Sequence, residues 1–148
     1  MFLAFDPTTN PINNTEWGFP LLEIIHITGF TLSVGTIAIV DMGLLGWGKR
    51  GTAAQLLKET STWTLVGLII MLISGPLIFS SDPNMYLGNG SFRFKMGALL
   101  LAIIYNYTIH RKVAKSGAPP GGLSKIVGIV SLVLWVSVVF GGLFIAFV

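Results

Sequence analysis

Four long apolar runs, separated by short polar or turn-forming stretches, set the pattern of this chain. The first runs from about Phe19 to Trp47 and the second from about Trp63 to Phe79. The third begins at Phe92, is apolar as far as Ile109 and extends to about Ala114; the fourth begins near Ser124 and is apolar from Ile126 to Val148. With its flanks, each run is long enough to cross a hydrocarbon layer of about 30 Å at about 1.5 Å per residue. Apolar–polar alternation with a period of two is absent, which argues against a barrel. Backbone amides in lipid must then be satisfied within each segment, and only helices do that. The pattern predicts an all-α protein, an integral membrane four-helix bundle forming one domain over residues 1–148. Thr52 is placed to cap a helix-forming stretch, residues 53–62, read as a cytoplasmic extension of the second span. Ser81-Asp82-Pro83-Asn84 and Gly88-Asn89-Gly90-Ser91 read as a turn-rich loop, and Gly117 to Gly122 as another. Gly75-Pro76 predicts a kink inside the second span. The small pairs Gly29/Ser33, Ser124/Gly128 and Ser137/Gly141 permit close helix contacts.

Charge gives the bundle an orientation. Lys49, Arg50 and Lys58 separate spans one and two; Arg111, Lys112, Lys115 and Lys125 separate spans three and four. Only Arg93 and Lys95 lie between spans two and three. The side richer in basic residues is cytoplasmic, so both termini are expected on the non-cytoplasmic side. The uncharged start, Met1 to Phe5, lacks the basic region of a signal peptide, and no cleaved leader is expected. Composition agrees: 53% of residues are hydrophobic and 10% charged, against about 25% charged in soluble domains. The net charge of +3 reflects this loop bias rather than a nucleic-acid surface. With no cysteine, disulfides, iron–sulfur clusters and thiolate chemistry are excluded.

Ionisable residues within spans are the informative ones. Span one carries Glu23, His26 and Asp41; span three carries Lys95, Asn106 and His110. On an α-helix Lys95, Ala102, Asn106 and His110 fall within about 80° of one another, a stripe expected to face the interior. His26 lies roughly 10–12 Å below the outer interface, Lys95 roughly 5 Å and His110 roughly 27 Å at the helical rise. The two histidines thus differ by about 15 Å in depth, too far to ligate one haem iron together. Two polar clusters are expected. The outer one holds Glu23, His26 and Lys95, with Arg93 nearby; the inner one holds Asp41, Asn106 and His110, near Arg111.

Each residue has a plain alternative. Glu23 with Lys95 reads equally as an ion pair fixing helix register. His26 reads as an interior hydrogen-bonding histidine or as the axial ligand of haem b, its ring oriented by Glu23. His110, beside Arg111 and Lys112, reads as a solvated interfacial histidine. Asp41 reads as a structural partner of Lys49 or Arg111. Trp17, Trp47 and Trp63 stand where an aromatic belt is expected, and mid-span Trp135 is expected to pack.

Several motifs carry a family likeness. From Trp17 the chain reads W-G-F-P-L-L-E-I-I-H-I-T-G-F-T-L-S-V-G, then D-M-G-L-L-G from Asp41, S-D-P-N-M-Y-L-G-N-G-S-F-R-F-K-M from Ser81, and N-Y-T-I-H from Asn106 to His110. It resembles a family of small, uncharacterised four-helix bacterial inner-membrane proteins. It is also similar, more weakly, to HemJ-type protoporphyrinogen oxidases and CopD-type membrane proteins, which place a histidine early in span one and an F-x-x-K-like pattern at the start of span three. His26 and Phe92-Arg93-Phe94-Lys95 hold those positions here. The HemJ likeness implies haem b at His26. This chain departs from that type in carrying Glu23 before His26 and Ser33-Val34-Gly35-Thr36 after it, and the Met or His clusters of copper transport are missing.

Two functions are expected from these readings. One is a haem-b or quinone-linked membrane redox component with a polar pocket near the outer face, cofactor and metal bound through His26 with Glu23 and Lys95. The other is a non-catalytic accessory subunit of a larger membrane complex, respiratory or photosynthetic. Either is a multi-pass protein of the bacterial inner membrane, in contact with lipid, as a homo-oligomer or within a larger complex, and without nucleic acid.

Overall fold

A computed structural model describes residues 6–47 and 51–147. The described chain is largely helical, with no strand among the described residues. Helix α1 spans Gly18–Leu45 and α2 spans Ala53–Phe79. A short helix α3, Pro83–Gly88, leads into α4, Gly90–Tyr105. The helical path continues through a π turn, Asn106–His110, into α5, Arg111–Lys115. Helix α6, Gly122–Leu143, ends in a 3-10 turn, Phe144–Phe147.

Local chemistry explains the boundaries. Gly46 closes α1 in the left-handed conformation, φ 76°, which glycine adopts without steric penalty. Thr52 caps α2 in a reciprocal box with Gln55, so the expected extension and second span form one helix that continues through Pro76. The stretch read as an outer loop of turns is instead mostly helical. Asp82 accepts from the Met85 amide at 3.0 Å, Pro83 starts α3 with no amide to satisfy, and Asn89 accepts from the Phe92 amide at 3.0 Å to start α4.

Three helices are long and apolar enough to cross a membrane: Gly18–Leu45, α2, and Gly122–Phe147, with mean hydropathy 1.6, 2.0 and 2.5. Apolar side chains cover the outside of the molecule. Ile24, Ile73, Leu100, Ile126 and Val133 are all exposed, while Ser33, Asp41, Ser131 and His110 are buried. Polar groups inside and apolar groups outside is the arrangement a lipid solvent selects. Trp17, Trp47 and Trp63 are exposed; Trp135 is buried against Ile37, Leu68 and Ala102.

Helix α1 packs along α2, and α6 lies against α1 and α4. The α1–α2 contact is close because two glycines face each other. A Cβ on Gly67 would lie 2.6 Å from the Gly29 carbonyl oxygen, and one on Gly29 would lie 2.9 Å from that of Gly67. One end of the molecule gathers the start and finish of the chain: Asn10 and Asn13 donate to the carbonyls of Ser80 and Ser81 at 2.6 and 2.8 Å, and Asn89 donates to that of Ile145 at 3.0 Å. At this end Phe79, Tyr86 and Phe92 form an aromatic cluster with centroids 5.2–6.1 Å apart. At the other end Gly46 approaches Pro120, where a Cβ would meet the ring at 3.1 Å.

Candidate functional site: two buried polar clusters

The inner cluster joins three helical segments at one carboxylate. Asp41 sits on the inward seam of α1 with Ile37, Val40 and Leu44. His110, the last residue of the π turn, places Nε2 2.7 Å from Asp41 Oδ1. Ser131 of α6 donates to Asp41 Oδ2 at 2.9 Å. Asp41 and Ser131 are 0% exposed and His110 1%. No other contact of a carboxylate with a Lys, Arg or His nitrogen within 4 Å occurs among the described residues. Both carboxylate oxygens are therefore engaged, which a buried carboxylate requires.

These contacts correct two expectations. His110 is a fully buried residue rather than an interfacial one. Asp41 binds His110 and Ser131 rather than Arg111; its other expected partner, Lys49, lies outside the described residues. His110 keeps to the inward stripe of Lys95, Ala102 and Asn106, and its ring points at Asp41 rather than at the interface. Asn106 begins the π turn and is also buried. Arg111, one residue on, lies instead over the Tyr107 ring at 5.7 Å.

With Nε2–H given to Asp41, the remaining ring nitrogen of His110 defines the site's chemistry. Nδ1 is buried and has no hydrogen-bond partner among the described residues. The ring borders a cavity of about 10 Å³ of water-accessible space, lined also by Ser61, Thr64, Asn106, Tyr107 and Arg111. A carboxylate-oriented imidazole with a free second nitrogen can accept a proton or ligate a metal.

The outer residues are arranged differently from the expectation. His26 of α1 places Nδ1 2.8 Å from Ser74 Oγ of α2. Ser74 already donates its own proton to the Ile70 carbonyl at 2.7 Å. Its oxygen therefore accepts from His26 Nδ1–H, and Nε2 carries the lone pair. The orienting partners are Ser74 and the Met71 backbone, not Glu23. Glu23 is exposed on α1, and its charge acts on Tyr86 of α3. Lys95 is half-buried, with its stem against Gly141: a Cβ on that glycine would lie 3.0 Å from Lys95 Cβ, and one on Gly142 would lie 3.3 Å from Nζ. Its ammonium is near enough to act electrostatically on His26. The structure thus brings His26 and Lys95 into one neighbourhood and leaves Glu23 and Arg93 exposed. Along α1, His26 and Asp41 are fifteen residues apart, about 22 Å at the helical rise. The two clusters are separate sites. No group of three or more His, Cys, Asp or Glu able to hold a metal occurs among the described residues.

Sequence reasoning missed Ser74 and Ser131. Ser131 had a readable signal: Ser124, Gly128, Ser131, Trp135 and Val138 repeat at helical spacing and form the buried face of α6. Ser74 had none beyond its place in an apolar span.

Residues 19–148 match a family of unknown function (DUF6644), and the chain belongs to that family. No curated protein and no solved structure matches it.

Proposed function

We propose that this DUF6644 member is a four-span protein of the bacterial inner membrane, with both termini outside, that handles protons at the Asp41–His110 pair as part of a membrane redox system. The helical path from Gly90 to Lys115 supplies the fourth crossing. One observation carries the reading: a buried carboxylate and a buried imidazole meet at 2.7 Å inside an apolar bundle, and no second such contact occurs among the described residues. Ionisable groups in that setting are costly, by about 2.5–3.5 kcal/mol or more each when uncompensated, and mark proton or ion paths in membrane proteins. The pair can take up one proton on the imidazole while the carboxylate balances the charge.

The redox half rests on His26. Ser74 fixes its tautomer and leaves Nε2 available, the arrangement found at metal-ligating imidazoles. Gly75 presents no side chain to the ring, its nearest approach being His26 Cε1 at 3.4 Å from a hypothetical Cβ. Lys95 offers a positive charge to an acidic or carbonyl group beside it. His26 would hold the iron of haem b through Nε2 and Lys95 would pair with an acidic group of it, and the haem would supply one-electron chemistry. These residues fit a quinone head group equally.

Two measurements on protein purified from membranes test this. Histidine-¹⁵N NMR in lipid vesicles should show the Asp41–His110 pair exchanging one proton as pH is varied across the range in which the protein stays folded. A single protonation state throughout defeats the proton-handling reading. An absorption spectrum should show a Soret band that His26→Ala removes. If the wild type has none, haem is discarded, and a quinone titration that leaves the His26 resonances unmoved hands the protein to the accessory-subunit reading.

A further inference from the structure

We propose that the small cavity between α2 and the π turn seats one water molecule, which bonds His110 Nδ1 and relays protons between the buried Asp41–His110 pair and the Ser61 side of α2. This rests on the proton-handling reading and adds the route.

Three observations converge. First, His110 Nδ1 is a buried ring nitrogen with no protein partner among the described residues, and leaving such a group unsatisfied costs about 1–3 kcal/mol. Second, the ring borders a cavity of about 10 Å³ of water-accessible space, close to what one water molecule requires. Third, the walls are polar where a water needs partners: Ser61 and Thr64 from α2, and Asn106 from the π turn. Thr64 is itself fixed, with Oγ1 2.8 Å from Thr36 Oγ1 and donating to the Thr60 carbonyl at 3.1 Å. The rest of the wall, Ile37, Val40 and Leu57, is apolar, so the water is held by the polar groups on one side, which a dry apolar cavity would lack.

The charged and titratable groups around His110 define the direction. Asp41 faces it from α1. Tyr105, near enough to feel the Asp41 charge, gives its hydroxyl to the Val127 carbonyl of α6 at 3.1 Å. Ser131 from α6 is committed to Asp41. From α2 come only the hydroxyls of Ser61 and Thr64, and Arg111 with Tyr107 completes the wall. Ser61 is half-buried where Thr64 is buried, and it stands one turn from Lys58, so it is the outlet toward that end of α2. In the uptake step the water gives a proton to Nδ1, the imidazole becomes imidazolium, and the water regains a proton from the aqueous side through Ser61. One proton enters and no other bond changes.

Water-edited solid-state NMR of histidine-¹⁵N protein in lipid vesicles tests the route, with His26→Gln used to assign the two histidines. Early polarisation transfer from water to His110 is expected in the wild type, falling severalfold in Ser61→Leu, which fills the cavity, and in Thr64→Val, which keeps its volume but removes a partner. Absence of transfer in the wild type, or transfer unchanged in both variants, overturns the proposal. The titration is read on the same sample. Proton exchange without water contact sinks the route alone, whereas water contact without proton exchange sinks the proton-handling reading and leaves a structural water.

Discussion

Asp41 of α1 and His110 of the π turn meet at 2.7 Å with essentially no solvent exposure. They lie 69 residues apart in the chain and tie the first helix to the third long helical path. Removing either partner strands the other in an apolar interior. His110→Ala, which leaves the Asp41 carboxylate buried with Ser131 alone, is expected to destabilise the protein by about 3–5 kcal/mol, the usual range for a buried charge left without its partner. The double variant Asp41→Ala/His110→Ala should lose clearly less than the sum of the single losses. Thermal unfolding in one detergent checks both; strict additivity would show that the two side chains do not depend on each other.

Gly67 faces Gly29 across the α1–α2 contact, where an added Cβ would lie 2.6 Å from a backbone oxygen. Backbone cannot swing aside as a flexible side chain can. Gly67→Ala should therefore separate the helices and lower stability by about 1–3 kcal/mol, as overpacking does. Gly97→Ala is the control, since nothing lies within 4 Å of its hypothetical Cβ. Equal unfolding temperatures for the two variants would refute the close packing.

Tyr86 of α3 is buried beside Phe79 and Phe92. Burial pushes its hydroxyl above the ordinary tyrosine value of 10.0, the Ser81 hydrogen bond opposes this, and the charges of Glu23 and Asp82 add to it. The unfolded chain thus loses this proton first. The stabilisation is fully present below about pH 10 and is lost as pH rises through the higher folded value. Unfolding monitored from about pH 9 to about pH 11 should show that loss, and Tyr86→Phe should flatten it. The same slope in both proteins would remove Tyr86 as the cause.

Orientation is tested by reporter fusions at Lys58 and Ala118. The basic residues flanking both sites predict activity with a cytoplasmic reporter only. A periplasmic reporter active at either site would invert the proposed topology.

Ser74 orients the His26 ring at 2.8 Å. If that bond selects the tautomer, Ser74→Ala should shift His26 toward the Nε2–H form, read from its ¹⁵N shifts, and weaken any ligand held through Nε2. Glu23→Gln should leave those shifts in place. A His26 spectrum that responds to Glu23 and ignores Ser74 would restore the carboxylate as its partner.

Local sequence determined much of this protein. Apolar runs dictated where helices lie, because a lipid solvent admits no other open backbone. Thr52 with Gln55 marked the start of α2, and Asp82-Pro83 and Asn89 carried capping signals that read as turns because the same residues serve both purposes. The inward stripe of Lys95, Ala102, Asn106 and His110 was legible from helical spacing. Helical spacing and depth placed Asp41 with His110 in one cluster, and the tertiary structure decided the bonds: His110 and Ser131 on Asp41, and Ser74 on His26. Partner choice depends on the relative phase and approach of helices, and periodicity within one helix contains neither. His110 lies on that inward stripe, and the approach of α1 and α6 sets Asp41 2.7 Å from its ring with Ser131 on the other carboxylate oxygen. The Gly29–Gly67 approach brings α2 close against α1, on the side where Ser74 reaches His26 and Glu23 is left exposed.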